Sequence, residues 1–483
     1  MTMTKPHINI SEPYDVAIIG GGPGGYTAAI RAAQLGKRVA LIERDLVGGT
    51  CLHRGCIPTK ALLESSGRFE SIRRAGEFGI RLDSGSVSYN EEKAYKRKDA
   101  VVDRLYKGIQ TLMRKNKIDV IKGTARLDGR DGPRFAIQIH DGYQPDPRTL
   151  VAYHVVLATG SRPVVPPGVK IDGIRLFTSD EILSKPIRPQ HITIVGAGAI
   201  GVEFARYFRE IGSSVHLVEW SARLVPGEDE EISAELRLRF EQAGIAVSTA
   251  HRLMTERIAE SDGQLSYSLE SQDGEVSDHC TDAILFAMGR KNNTADLGLE
   301  RFGLEATGSS VPVNVYMKTA VPELYAIGDI TGSFQLAHAA SRQATIAINR
   351  MFGAETVPYA ATWVPRCIYT HPEIATVGLT ERQAIEQGFN VKIGKFPLRA
   401  NGRSLVGGHD EGFVKLVVDG EHDLLLGAHI IGEGATELIA LPAFAGIVEG
   451  TAWEMGLNVY PHPTVAEIFG EAALAADGRA IHQ

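Results

Sequence analysis

The chain has 483 residues, of which 43% are hydrophobic and 23% are charged. This composition is typical of a folded globular protein and excludes bulk disorder, and at roughly 150 residues per domain the length predicts about three domains. The 51 basic and 58 acidic residues give a formal net charge of −7. That balance disfavours nucleic-acid binding, which needs a basic face to neutralise phosphates.

The sequence carries no signal for a membrane span or a secretory leader. The longest apolar stretch, Leu438 to Val448, is too short to cross a bilayer and contains Pro442. The first dozen residues have no apolar core, so no signal peptide is predicted. We therefore expect a cytoplasmic protein, or one of a matrix-like compartment if a transit peptide has been removed.

Two similar blocks, Asp15–Arg44 and Ile192–Trp220, organise the chain. Each reads as an apolar strand, a G-x-G-x-x-G motif, a helical pattern and a second apolar strand that ends in glutamate. The equivalent residues, each pair 176 positions apart, are Gly20 and Gly196, Gly22 and Gly198, Gly25 and Gly201, and Glu43 and Glu219. One such motif also fits a plain strand–helix turn, but two in register predict two dinucleotide-binding sites.

The physical roles of the motif residues are the same in both blocks. The first glycine makes a tight turn, the second lets the backbone approach a pyrophosphate, and the third lets the helix pack on the strand. The final glutamate accepts hydrogen bonds from a ribose diol. Glu219 would repel a 2′-phosphate, so the second site is predicted to prefer NAD over NADP. Arg223 nearby would soften that preference, unless it is an ordinary solvated arginine.

The four cysteines are too few for a secreted disulfide scaffold. Cys51 and Cys56 lie close together, whereas Cys280 and Cys367 are isolated. The close pair is a metal half-site, a redox couple or a coincidence. Zinc would require a second pair of cysteines or histidines at matching spacing, and none is evident, which favours a redox couple. FAD then suits the first dinucleotide site, because a flavin passes electrons between NAD and a sulfur pair.

Helix geometry restricts how the two cysteines can pair. In a regular helix, the Cα atoms of residues five apart are roughly 8.7 Å from each other, and a disulfide needs less than about 7 Å. Cys51 and Cys56 can therefore join only if the start of the helix is distorted, and Gly55 and Pro58 are suited to distort it. A strained and accessible disulfide is reducible, as a catalytic couple requires. Two unpaired buried cysteines are the structural alternative.

The stretch Gly48–Lys60 (GGTCLHRGCIPTK) resembles the redox-disulfide signature of the flavin-dependent pyridine nucleotide-disulfide oxidoreductases. The resemblance extends over about residues 14 to 475. The further matching stretches are ATGSRP (Ala158–Pro163), AMGR (Ala287–Arg290), YAIGDIT (Tyr325–Thr331), LAHAA (Leu336–Ala340), YTHPEIATVGLTE (Tyr369–Glu381), GAHIIG (Gly427–Gly432) and HPTVAE (His462–Glu467).

The resemblance implies an α/β fold with two Rossmann-like dinucleotide-binding domains, for FAD and NAD, and a C-terminal α+β dimerisation domain. The implied segments are 14–157 for FAD, 158–285 for NAD, 286–356 completing the FAD domain, and 357–483 for the interface of a homodimer. The implied reaction is the oxidation of protein-bound dihydrolipoamide with reduction of NAD. The implied partners are lipoyl domains of 2-oxo acid dehydrogenase or glycine cleavage complexes.

Two alternatives remain open at this point. One is a related FAD enzyme that uses NAD(P)H to reduce another disulfide, a metal ion or a quinone. Glu219 disfavours NADPH, Ala199 stands where glutathione reductases carry tyrosine, and no cysteine pair lies near the C-terminus as in mercuric reductases. The other is a non-catalytic subunit that binds nucleotides for assembly, which the joint presence of Cys51, Cys56, His462 and Glu467 disfavours.

The resemblance also implies residue roles. Cys51 would exchange with the dithiol substrate, and Cys56 would be the thiolate against the flavin. Lys60 would lie near the reactive flavin nitrogen and pair with Glu203. His462, oriented by Glu467, would be the base that serves the disulfide of the other subunit, although Thr464 and Glu467 also fit a helix capping box.

The other implied cofactor-binding residues are Gly49, Thr50, Ala125, Gly160, Asp329 and Ala337 for FAD, and Ile200 and Gly289 for NAD. The sequence departs from the family pattern at a few positions. Tyr460 replaces a frequent second histidine, His53 and Arg54 replace Asn and Val, and KNNT follows Arg290 where a Pro-Asn pair is usual.

Overall fold

A computed structural model describes residues 12–82, 87–142, 146–261, 263–304, 306 and 309–482. The first eleven residues lie outside these ranges, so the structure does not describe the segment for which no signal peptide was predicted. The chain divides into two compact units. The first comprises the residues up to Ala61 with Glu92–Pro163 and Arg290–Tyr359, and the second comprises Leu62–Glu91, Val164–Gly289 and the residues from Ala360 onwards. The four segments predicted from the sequence divide the chain more finely and stay a prediction.

The strands are numbered in chain order. They are β1 (Tyr14–Ile19), β2 (Val39–Glu43), β3 (Asp119–Lys122), β4 (Thr124–Asp131), β5 (Arg134–His140), β6 (Arg148–Leu157), β7 (Ser161–Pro163), β8 (Leu176–Phe177), β9 (His191–Val195), β10 (Ser214–Val218), β11 (Ala246–Ser248), β12 (His251–Ser261), β13 (Gln264–Ser271), β14 (Val276–Thr281), β15 (Ala283–Phe286), β16 (Arg290–Asn292), β17 (Leu324–Ala326), β18 (Arg366–Ile368), β19 (Ile374–Gly378), β20 (Val391–Pro397), β21 (Phe413–Asp419) and β22 (Leu425–Ile431).

The α-helices are α1 (Pro23–Gln34), α2 (Gly49–His53), α3 (Cys56–Arg73), α4 (Glu91–Lys115), α5 (Ser179–Ser184), α6 (Ala199–Glu210), α7 (Glu230–Gln242), α8 (Ala337–Met351), α9 (Glu381–Glu386), α10 (Gly402–Gly407), α11 (Ala435–Leu438), α12 (Ala440–Ile447), α13 (Ala452–Leu457) and α14 (Ile468–Ala475). Short 3-10 helices are Ala75–Phe78, Leu299–Phe302, Gly328–Thr331, Ala361–Trp363, Leu398–Ala400 and Val465–Glu467. Within the described ranges, none of the helices combines the length and the apolar composition needed to cross a bilayer.

The first unit is built on a sheet in which β3, β2, β1 and β6 are parallel neighbours and β17 pairs with the end of β6. Alternate residues of β1 enter different cores, because successive side chains of a strand point to opposite faces. Val16 and Ile18 pack in a cluster with α1 and α8, and Ala17 and Ile19 pack in the cluster on the other face. Burial on both faces explains the continuous apolar run of this strand.

The second unit repeats this arrangement and adds a separate sheet. Its parallel sheet has the order β11, β10, β9, β15 and β8, and β12, β13 and β14 form an antiparallel sheet beside it. From Ala360 onwards, an antiparallel sheet in the order β18, β19, β22, β21 and β20 is covered by α14 and α12. We call this last sheet, with its helices, the C-terminal layer.

A buried cation joins the C-terminal layer to α7 within the second unit. Lys415 on β21 is 2% exposed, and its Nζ lies 2.6 Å from Glu381, 3.2 Å from Asp229 and 3.2 Å from Glu231. Burial opposes the charged form, but the hydrogen bond to Glu381 and the other carboxylates outweigh it and raise the pKa of Lys415. The ammonium is therefore compensated by several carboxylates rather than by one.

We expect Lys415→Ala to lower the free energy of unfolding by about 3 kcal/mol at neutral pH, because it leaves the buried Asp229 carboxylate uncompensated. Denaturant unfolding followed by circular dichroism measures this change. Because the pKa of the lysine is raised, its contribution is complete below the ordinary lysine value and is lost as pH rises through the raised value. Arg382→Ala, which removes an exposed ion pair with Glu230, is the control and should cost less than about 1 kcal/mol. Equal costs would contradict the argument.

Candidate active site

The first glycine motif forms a cradle that side chains would fill. Gly20 has φ +109°, and a Cβ there would clash with the carbonyl oxygen of Ala158. A Cβ on Gly25 would overlap the carbonyl oxygen of Gly20. In contrast, a Cβ on Gly22 would meet no described atom within 4 Å, so space remains open at the N-terminus of α1. The residues present therefore fit a pyrophosphate held by the backbone N–H groups of the first helical turn.

The terminal glutamate of the first block faces the same cradle. The Gly21 N–H donates to Glu43 Oε2 at 2.6 Å, and the Asp45 N–H donates to Oε1 at 2.8 Å. These bonds fix the carboxylate beside the glycine loop and leave each oxygen a further lone pair. The position suits the predicted acceptor for a ribose diol.

The second glycine motif repeats these contacts almost bond for bond. A Cβ on Gly201 would overlap the carbonyl oxygen of Gly196, which has φ +100°, and Gly198 faces open space. The Ala197 and Ser221 N–H groups donate to the two oxygens of Glu219 at 2.7 and 2.8 Å. The internal duplication seen in the sequence is therefore also a duplication of side-chain geometry.

Arg223 has contacts of its own near the second glycine motif. Its Nη2 donates to the carbonyl oxygen of Pro226 at 2.9 Å, and its Nη1 lies 3.5 Å from Glu230 Oε1. The Glu219 carboxylate is fixed beside the glycine loop, which supports the predicted preference for a free 2′-hydroxyl.

The two cysteines lie on either side of a break between two helices. The helix α2 ends at His53, and α3 begins at Cys56. A Cβ on Gly55 would lie 3.2 Å from the carbonyl oxygen of Thr50, a close contact. Pro58 falls in the first turn of α3, where its missing N–H has no intrahelical partner to lose. The predicted distortion of the helix start is therefore confirmed.

The two thiols share one site near Tyr26 and Lys60. The hydrogen bond to Cys56 and burial raise the pKa of Cys51 strongly, and the Lys60 ammonium opposes this rise. Burial, and then the charges of Cys51 and Cys56, raise the pKa of Tyr26. In the reduced pair, these effects favour the protonated form of Cys51. Sequence reasoning missed Tyr26, because nothing but its place after the glycine motif singles it out.

Asp329 is held by residues from two of the matching stretches. The Ser161 hydroxyl donates to Asp329 Oδ2 at 2.5 Å. Arg290 donates from Nε to the Ser161 hydroxyl at 2.7 Å and from Nη2 to its carbonyl oxygen at 2.8 Å. Ser161 and Arg290 were absent from the predicted site, although both lie in stretches that carry the family resemblance.

His462 is exposed and oriented. Its side chain is 80% exposed, and its Nδ1 lies 2.8 Å from Glu467 Oε1. The Thr464 N–H donates to the other carboxylate oxygen at 2.9 Å. Burial would raise the pKa of Glu467, but the hydrogen bonds from His462 and the Thr464 N–H outweigh it and lower that pKa. One carboxylate thus orients the imidazole and caps the following helix, so the two interpretations of Glu467 are compatible.

The remaining predicted residues occupy loops and element ends. Gly49 and Thr50 begin α2, Ala125 is buried on β4, Gly160 follows β6, Ala337 begins α8, Gly289 precedes β16, and Ile200 and Glu203 lie in α6. Glu203 Oε1 accepts the Tyr369 N–H at 3.0 Å. Lys60 and Glu203 belong to different units, and their pairing stays a prediction.

The departures from the family pattern have structural partners. His53 Nε2 lies 3.0 Å from the Val47 carbonyl oxygen, and Arg54 forms an ion pair with Asp45. The Tyr460 hydroxyl donates to the Met455 carbonyl oxygen at 3.1 Å. In the KNNT stretch, Asn293 donates to the Thr159 carbonyl oxygen at 2.9 Å. Each of these residues therefore makes a polar contact within the local fold.

Comparison with known proteins agrees with this geometry. Residues 14–344 match the family described as pyridine nucleotide-disulphide oxidoreductase, and residues 364–473 match the dimerisation domain of the same family. A dihydrolipoyl dehydrogenase of Bacillus subtilis is 43% identical over 98% of this chain and 100% of its own length. One of Zymomonas mobilis is 38% identical with the same coverage. The crystal structure of LpdA from Mycobacterium tuberculosis superposes with a TM-score of 0.87 at 26% identity, covering 95% of this chain and 99% of that one.

These matches confirm the predicted fold class, the oxidoreductase class and the cofactors FAD and NAD. The dimerisation-domain match supports a homodimer. The chain belongs to the pyridine nucleotide-disulphide oxidoreductase family.

Proposed function

We propose that the chain acts as a dihydrolipoyl dehydrogenase, oxidising a dihydrolipoyl group to its cyclic disulfide and reducing NAD. The observation that carries this proposal is the interacting thiol pair at the α2–α3 break, next to the first dinucleotide cradle. The full-length relatives with that activity in their names support the choice of substrate.

The sulfur chemistry balances as two thiol–disulfide exchanges. A substrate thiolate attacks Cys51 Sγ, the Cys51–Cys56 bond breaks, and Cys56 leaves as a thiolate. The second substrate thiolate then attacks the mixed disulfide, the lipoyl disulfide closes, and Cys51 leaves to take up a proton. His462, held by Glu467, accepts the substrate thiol protons at Nε2.

The environment of Cys51 suits this sequence. The hydrogen bond to Cys56 and burial raise the pKa of Cys51, which favours its protonation after the exchange, and the Lys60 charge opposes part of this rise. When bound, FAD supplies the two-electron transfer between this pair and NAD. The first cradle, with Asp329 fixed by Ser161, would hold the flavin nucleotide, and the second cradle with Glu219 would hold NAD.

The partners and compartment complete the proposal. In the homodimer, His462 would serve the thiol pair of the other subunit. The dihydrolipoyl groups would arrive on lipoyl domains of 2-oxo acid dehydrogenase or glycine cleavage complexes, in the cytoplasm. The His462 side chain is exposed within a single chain, which supports a role for this imidazole at the thiol pair of the other subunit, across the dimer interface.

The decisive test is an anaerobic assay of the flavin-loaded protein with dihydrolipoamide, comparing NAD and NADP as acceptors. Rapid reduction of NAD with little reduction of NADP is expected. A flavin that NADH reduces and dihydrolipoamide does not would refute the substrate and favour a related reductase.

Glu219→Gln is expected to lower the ratio of kcat/KM for NAD to that for NADP by about 10-fold, the effect of losing one charge-assisted hydrogen bond of about 1.4 kcal/mol. Glutamine has a single acceptor oxygen, so it keeps the hydrogen bond from only one of the Ala197 and Ser221 N–H groups. Glu241→Gln, at an exposed ion pair with Arg237 on α7, is the control. An unchanged ratio in Glu219→Gln would show that this carboxylate does not select the nucleotide.

A further inference from the structure

Three side chains that are able to bind a metal ion meet in the second unit. His371 follows β18, His409 follows α10, and Glu433 follows β22. Their nitrogen and oxygen ligand atoms all lie within 4.8 Å of one another. The loops that carry them are separated in sequence by about 24 to 38 residues, so the fold brings together what no local motif predicts.

The two imidazoles are held in a shaped site. The rings of His371 and His409 meet edge to face, with centroids 5.5 Å apart and planes at 83°. The backbone N–H of His409 donates to the Ser404 carbonyl oxygen at 3.0 Å. The neighbouring Gly408 has φ +69°, and a Cβ there would lie 3.0 Å from Phe78. The backbone at His409 is therefore constrained on both sides.

One imidazole nitrogen in this site lacks a partner. Nδ1 of His409 is buried, and among the residues that the structure describes no hydrogen-bond partner reaches it. A buried polar atom left unpaired costs free energy, and most such atoms in folded proteins are satisfied. A metal ion would use this lone pair.

Arg206 and Arg74 place positive charge near His371. Each arginine is compensated by a carboxylate, because Arg206 lies 2.7 Å from Glu210 and Arg74 lies 3.0 Å from Glu77.

We propose that His371, His409 and Glu433 bind one Zn²⁺ ion. Two imidazoles and one carboxylate suit a borderline transition metal, whereas Ca²⁺ and Mg²⁺ prefer sites made of oxygen ligands. Zinc bonds of about 2.0 to 2.2 Å require the ligand atoms to approach more closely, and the exposed Glu433 side chain is free to move inwards. Three protein ligands leave a fourth position for water.

The consequence of binding is a crosslink within the C-terminal layer. The ion would join the loop before β19, the loop between α10 and β21, and the turn after β22. This site is independent of the dithiol reaction proposed above, since it uses neither Cys51, Cys56 nor His462.

The test is Zn²⁺ binding to the oxidised, flavin-loaded protein, measured by competition with a chromogenic chelator. Keeping the protein oxidised removes the Cys51–Cys56 thiols as competing ligands. We expect one tightly bound ion per chain, and more than about 100-fold weaker binding in His409→Ala and in Glu433→Gln, because losing a ligand should cost at least as much as losing a residue that orients one.

The matched control is His422→Ala, which removes a histidine paired with Asp419 at 2.8 Å in the same unit. It should bind Zn²⁺ as the unaltered protein does. Thermal unfolding is the second readout: Zn²⁺ should raise the Tm of the unaltered protein and of His422→Ala, but not that of Glu433→Gln. Because Glu433 is exposed, its metal-free variant should keep the ordinary Tm. Unchanged affinity in both ligand variants, or no stoichiometric binding at all, would overturn the proposal and leave the two histidines as a packing contact.

Discussion

Cys51→Ser is expected to lower kcat for dihydrolipoamide oxidation by NAD at least about 1,000-fold, because the variant cannot form the disulfide that accepts the substrate electrons. The flavin should remain bound, since the cradle at Gly20, Gly22 and Gly25 is untouched. The measurement is the anaerobic steady-state rate, with the flavin content taken from the absorbance of the purified protein.

The control for this substitution is Cys280→Ser, which alters an exposed cysteine of β14. It should keep the full rate. Cys56→Ser should be as inactive as Cys51→Ser, because either change removes the same bond. A Cys51→Ser variant with full activity would disprove the disulfide mechanism while leaving the family assignment intact.

His462→Gln is expected to lower kcat/KM for dihydrolipoamide by about 100- to 10,000-fold, the usual range for loss of a general base. NADH reduction of an artificial acceptor should be affected far less, because that reaction draws no proton from a dithiol. Comparing the two assays on the same preparation separates a lost base from a damaged fold.

The C-terminus offers a matched control. His482 Nδ1 lies 2.7 Å from Glu471 Oε1, and its side chain is 72% exposed, so this pair repeats the geometry of His462 and Glu467. His482→Gln should keep the activity. If both glutamine variants lost activity equally, the special role of His462 would be refuted.

A mixing experiment tests whether His462 serves the other subunit. In a heterodimer of Cys51→Ser and His462→Gln chains, one of the two sites would combine an intact thiol pair with an intact histidine. Random exchange between the two inactive dimers should therefore restore about one quarter of the normal activity. If exchange is verified and no activity returns, the histidine acts within its own chain.

The sequence predicted the parts of the site that depend on short stretches of chain. A glycine is required where two parts of the backbone approach each other within one strand–turn–helix segment, as Gly25 approaches Gly20. The spacing of the glycines in the sequence was therefore enough to identify both dinucleotide cradles. The break between Cys51 and Cys56 was predictable for the same reason, since Gly55 and Pro58 act on the turn that contains them. Lys60 and Glu203 were identified by the resemblance to the family. The short stretches of chain around them give no information on whether the two side chains pair.

The sequence by itself therefore determined the local features of the site: two glycine cradles, a thiol pair at an interrupted helix, and a histidine with a carboxylate five residues away. Only the tertiary structure decided which distant residues support them. Ser161 meets Asp329 across 168 residues, and Lys415 meets Asp229 across 186. His371, His409 and Glu433 also converge through the sheet order of the C-terminal layer. Spacing encodes contacts within a turn, whereas contacts between distant segments depend on how the strands pair and pack, which no single stretch of sequence specifies.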